Sequence, residues 1–136
     1  MFKKLADNFI KLINNFIIKL NLNIKLSNFI KIQNGIRTLS TQENRYQRIK
    51  SIEETECKIF SQNGEDGIIN YLIKSLKIKN PNFIEIGVGD YSECNTRYIF
   101  ESTSPKGLII DCIKDFREKV KKNVKLWKGD LLVLEK

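Results

Sequence analysis

Two glycines and three carboxylates crowd one short stretch of this chain. Gly87-Val88-Gly89 follows the run Phe83-Ile84-Glu85-Ile86, and Asp90 and Glu93 follow at once. Glycines at such spacing let the backbone turn sharply and approach a ligand closely. The charges restrict which ligand that is. Glu85, Asp90 and Glu93 would all repel a pyrophosphate. They suit a ligand that carries an ammonium and a sulfonium. Two further acids close apolar runs: Asp111 after Leu108-Ile109-Ile110, and Asp130 after Val124-Lys125-Leu126-Trp127 and Gly129. Asp111 lies 24 residues beyond Gly87, near the spacing at which a strand-end acid meets ribose hydroxyls. Singly, each acid reads as a solvated strand end or a helix cap. Three at successive strand ends beside a glycine loop read as a site.

The composition excludes other chemistries. There is no histidine, so no His-activated nucleophile, His general base or His metal site exists. Cys57, Cys94 and Cys112 are scattered, with no CxxC pair. That argues against zinc and against a disulfide framework, and for a reducing, cytoplasmic setting. The net charge of +8 is confined to one end. Residues 1–50 hold seven Lys and three Arg against Asp7 and Glu43, whereas residues 51–136 balance. Ile, Lys and Asn make up 54 of the 136 residues, a bias expected of A/T-rich codons, so part of the lysine excess needs no functional cause. A neutral core without aromatics interleaved in a basic patch gives no support to nucleic-acid binding.

Elements must hold these residues in place. Phe83–Ile86, after the breaker Pro81, reads as a strand buried on both faces. A helix is expected over about 92–102, with Ser92 as its cap. Leu108–Asp111 reads as a second strand, about 113–122 as a helix, and Val124–Trp127 as a third strand. Strands alternating with helices at this spacing imply βαβ crossovers and a parallel sheet. Upstream, Ser61 to Gly67 opens a helix that continues through Ile68, Ile69, Leu72 and Leu76. Gly64 and Gly67 weaken its first turn. They imply either a close approach to something or a tight entry turn.

The first third differs in character. Apolar residues at 2, 5, 9, 12, 13, 16, 17 and 20 share one helical face. Lys and Asn interrupt them too often for a transmembrane span or a secretory signal. The stripe suits a membrane surface, or packing on a partner or on the rest of the chain; Asn8, Asn14 and Asn15 dilute the lysines of the polar face, which favours packing. Leu20 to Ser27 alternates with period two, which fits a strand or a continuing helix. Asn34-Gly35 reads as a turn. The expected organisation is an amphipathic helical segment over 1–36, a polar linker over 37–56 and a cofactor-binding domain over 57–136.

Together these residues resemble the class I S-adenosylmethionine-dependent methyltransferases. Phe60-Ser61-Gln62-Asn63-Gly64-Glu65-Asp66-Gly67-Ile68-Ile69 and Glu85-Ile86-Gly87-Val88-Gly89-Asp90-Tyr91-Ser92-Glu93-Cys94-Asn95-Thr96 are similar to segments of FkbM-type members. The resemblance covers about 58–131. It implies a Rossmann-like sheet and S-adenosyl-L-methionine as cofactor. It also implies methyl transfer to a hydroxyl of a sugar-like or small acceptor. Gly87 and Gly89 would then admit the methionine portion, and Glu85 or Asp90 would balance its ammonium. Asp111 would take the ribose, Asp130 the adenine amine, and Gln62, Glu65 and Asp66 would close over the cofactor. Tyr91 stands where a third glycine is frequent. Only the first three of seven expected strands are present, so the expected reading is a C-terminally truncated unit, with no catalytic base assigned. An inactive fragment or a module that needs a partner chain is the alternative. A nicotinamide-dependent oxidoreductase is disfavoured, because Ser92 replaces the third fingerprint glycine.

Overall fold

A computed structural model describes residues 2–103, 105–124 and 129–136, with residues 2–7 as backbone only. The chain is mixed α/β, with a three-stranded parallel sheet and a long N-terminal helix. Helix α1 spans Phe2–Glu43. It runs without a break through the alternating segment 20–27 and through Asn34-Gly35. The turn expected there is absent for a packing reason. Ile32, Gly35 and Leu39 are buried on one face of α1, against Ile59, Phe60 and Tyr98. A Cβ on Gly35 would come within 2.5 Å of Ile59 Cδ1. The glycine lets Ile59 sit against the helix, and that contact offsets its poor helix propensity. The polar stretch 37–56 is therefore part helix, followed by 3₁₀ turns at Tyr46–Arg48 and Ile52–Thr55.

Helix α2 spans Glu65–Ser75 behind Gly64, whose φ is +97°. Its two glycines admit the chain's own backbone. Cys57 N–H donates to Gly64 O at 3.0 Å, and Gly67 N–H donates to Cys57 O at 3.2 Å. A Cβ on Gly67 would lie 2.0 Å from Thr55 O. The close approach read from the sequence is thus an internal one.

Strand β1 spans Phe83–Ile86, β2 Lys106–Asp111 and β3 Asp130–Glu135. Their order is β1-β2-β3, and both pairings are parallel. Helix α3 covers Arg97–Thr103 and α4 covers Phe116–Asn123. Phe100 of α3 and Phe116 and Val120 of α4 cluster with Ile109, Phe83, Leu131 and Val133. That is one face of the sheet. The other carries the aligned rows Ile84, Leu108, Leu132 and Ile86, Ile110, Leu134. Ile84 is 69% and Ile86 74% exposed. Burial of β1 on both faces is therefore not observed, and β1 is also an edge strand.

The third strand departs from expectation. Residues 125–127 of the expected Val124–Trp127 lie outside the described residues. The strand that pairs with β2 is Asp130–Glu135, a run whose apolar residues alternate between the two sheet faces.

Candidate functional site

The carboxyl ends of β1 and β2 bring the glycine loop and Asp111 together. Gly87 has φ +76° and Gly89 φ +59°. An added Cβ at either would meet nothing within 4 Å. Both are needed for backbone conformation rather than packing, and the space before them is open. Gly87 N–H continues the sheet by donating to Ile110 O at 2.9 Å. Gly89 N–H donates to Asp111 Oδ2 at 2.7 Å, and Ile113 N–H donates to Asp111 Oδ1 at 3.0 Å. Asp111 thus ties the loop after β1 to the loop after β2. Val88 is buried in the core, so it presents only backbone to this space.

Asp90 is exposed and forms an Asx turn. Its Oδ1 accepts from Ser92 N–H at 2.9 Å and from the Ser92 hydroxyl. Partial burial raises its pKa, but the Ser92 bonds, Asn123 and the charge of Arg97 outweigh it, and the net shift is downward. Tyr91 holds φ at +61° where a glycine is frequent in the resembling family. Its ring is fully buried, which offsets the backbone cost. Its hydroxyl lies 3.0 Å from Thr96 Oγ1.

Glu85 is committed elsewhere. It accepts from Asn95 N–H and Thr96 N–H at 3.0 Å each and from Thr96 Oγ1 at 2.5 Å. It therefore caps the approach to α3, and the loop over 90–96 delays that helix from the expected Ser92 to Arg97. Because the Thr96 hydroxyl donates to Glu85, the Tyr91 hydroxyl is the donor in its own contact. Asp66 is likewise structural. Its Oδ2 accepts from Ile59, Phe60 and Ser61 N–H at 2.8, 2.7 and 2.8 Å, and from Ser61 Oγ at 2.9 Å. Glu65 accepts from Asn63 N–H and Nδ2. Gln62 is exposed.

Asp130 lies at the wrong end for the role expected of it. It begins β3 and pairs in register with Lys106, whereas Glu135 pairs with Asp111. The five-residue offset between the two is about 17 Å of strand. Glu135 accepts from Phe116 N–H at 3.1 Å, at the start of α4. The expected role rested on a third strand over Val124–Trp127, one segment earlier than the strand that pairs with β2.

Arg97 gave no signal in the sequence. It is 2% exposed, donates to Ser92 O at 2.7 Å and Asn123 O at 2.8 Å, and lies 4.2 Å over the Phe60 ring. Burial holds its pKa below the ordinary guanidinium value, against nearby acids such as Glu101. It clamps the loop after Asp90 to the end of α4. Burial also pushes the Cys94 thiol up, which suits a packing residue rather than a nucleophile. An apolar recess of about 310 Å³ lies beside Ile69, Ile73, Pro81, Phe83 and Ile99. It is at the amino end of β1, away from the glycine loop, and has no convergent charge. Among the described residues no acid or cysteine cluster could hold a metal. No family model, curated protein or solved structure matches the chain.

Proposed function

We propose that this chain is a Rossmann-like cofactor-binding unit of a class I methyltransferase, taking S-adenosyl-L-methionine at the carboxyl ends of β1 and β2. The observation that carries the reading is the pair of left-handed glycines, Gly87 and Gly89, facing open space beside Asp111. The residues that would hold the cofactor are narrower than the sequence set. The backbone of Gly87-Val88-Gly89 and the carboxylates of Asp90 and Asp111 fit. Each Asp111 oxygen has accepted one hydrogen bond and retains capacity for another. Asp90, ionised and exposed, suits the ammonium. Glu85, Asp66 and Asp130 are not needed. The cofactor supplies the methyl group when bound, and the chain's own contribution is to bind and orient it. Acceptor hydroxyls of a sugar-like or small molecule follow from the resemblance.

A second reading has its own observation. The open sheet face and the unpaired edge of β1 favour a module that works only with a partner chain or further segment.

Titration calorimetry with S-adenosylhomocysteine and, separately, NAD tests the first reading. The expected result is micromolar binding of S-adenosylhomocysteine, lost in Gly87→Val and weakened at least about tenfold in Asp111→Asn, the size of one charge-assisted hydrogen bond. Binding of NAD alone would overturn it.

A further inference from the structure

The amino-terminal two-thirds of α1 is left uncovered by its own chain. Between Phe9 and Ile30, thirteen large apolar side chains are 43–68% exposed. The part of α1 that meets the rest of the molecule begins at Lys31, whose Nζ lies 5.8 Å from the centre of the Phe60 ring, and Ile32. So many exposed aliphatic and aromatic residues in about six turns exceed what an unpartnered surface carries. Packing on the chain's own core, one of the occupants the sequence left open, is therefore absent for this segment.

Charge and periodicity choose among the remaining occupants. Residues 8–30 contain Lys11, Lys19 and Lys25 and no acid. A second copy laid alongside would bring like charges together, with no Glu or Asp in the segment to answer them. The stripe through Phe9, Leu12, Phe16 and Leu20 also leaves its face after Leu20. Leu22, Leu26 and Phe29 fall on a different side, so no heptad seam is sustained over the three to four heptads that a coiled coil needs. A lipid surface requires no such register. It accepts a broad, drifting apolar surface, and anionic headgroups answer the lysines. Lysine stems can lie along the apolar surface with their ammonium groups turned to the headgroups. The helix does not span, because no helix among the described residues is long and apolar enough to cross a membrane.

We infer that residues 8–30 of α1 lie on an anionic bilayer surface and hold the sheet domain against it. This stands apart from the cofactor reading and survives its failure.

The test is co-sedimentation of the whole chain with vesicles of phosphatidylcholine containing about 30% phosphatidylserine, and with vesicles of phosphatidylcholine alone. The expected result is at least about tenfold tighter binding to the anionic vesicles, weakening as salt rises. Lys11→Gln/Lys19→Gln/Lys25→Gln should lose most of that preference, at about fivefold per lysine. Phe9→Ser/Phe16→Ser should lose binding to both compositions while far-ultraviolet circular dichroism shows the helix retained. Equal binding to both vesicles, or none to the anionic ones, overturns the inference. So does a dimer in light scattering that Phe9→Ser/Phe16→Ser dissolves, since the occupant is then a second copy. The lysine triple variant keeps the test decisive should the phenylalanine variant unfold.

Discussion

Asp66 illustrates how the acids of this chain are used. It is fully buried, and one of its oxygens gathers three backbone N–H groups and a hydroxyl. Glu85 and Glu135 accept backbone donors at the approaches to α3 and α4. Each could be read from sequence as a ligand or as a cap, and residue type alone does not separate the two. A carboxylate offers the same lone pairs to a backbone amide as to a ligand. What separates them is whether donors from a neighbouring segment already surround it, which is a tertiary fact. Asp66→Ala should therefore cost about 3 kcal/mol or more, because it strands buried backbone donors. Asp66→Asn, which keeps an acceptor oxygen, should cost less. Urea denaturation followed by circular dichroism gives both values, and equal losses would contradict the capping role.

Elements were legible where a local rule fixed them. Phe83–Ile86, the helix through Ile68 and Ile69, and the strand ending at Asp111 lie where apolar pattern and breakers put them. Glycines were harder, because the same residue serves turns and close contacts. Gly35 sits inside α1 against the side chain of Ile59, whose Cδ1, Cγ1 and Cγ2 would lie 2.5, 3.0 and 3.2 Å from an added Cβ, whereas Gly67 sits against the carbonyl of Thr55. The two should respond differently to a methyl group. Gly67→Ala should destabilise the protein by about 2 kcal/mol or more, since backbone must move. Gly35→Ala should cost less, about 1 kcal/mol, because only a side chain must give and the gain in helix propensity offsets part of the shift of Ile59. Thermal or urea unfolding of the pair decides the matter. A larger loss at Gly35 would mean that the α1–Ile59 contact is stiffer than its geometry implies.

At the scale of the whole molecule, the sheet is one-sided. Phe83, Ile109, Leu131 and Val133 meet α3 and α4, while Ile84, Ile86 and Leu132 are exposed at 69, 74 and 55%. Parallel sheets are ordinarily covered on both faces. The two faces should thus carry different energetic weight in this chain. Ile109→Ala should cost about 2–5 kcal/mol. Ile84→Ser/Ile86→Ser should change stability by less than about 1 kcal/mol and raise the concentration at which the chain stays monodisperse. Denaturation together with light scattering reads both effects. A large stability loss from the Ile84 and Ile86 changes would show that this face is covered in the isolated chain.

Local features follow from the amino-acid order alone: an apolar helical stripe, a strand before a glycine loop, and an acid ending the next strand. Short-range periodicity and backbone sterics fix those wherever they occur. Which strand pairs third, and with it that Glu135 rather than Asp130 stands beside Asp111, depends on how the folded chain packs. In a parallel sheet, the end at which a residue lies depends on pairing register, and register is set by side chains far apart in the chain. The burial of Arg97 was decided the same way, by Phe60 and Asn123, which reach it only once the chain is folded.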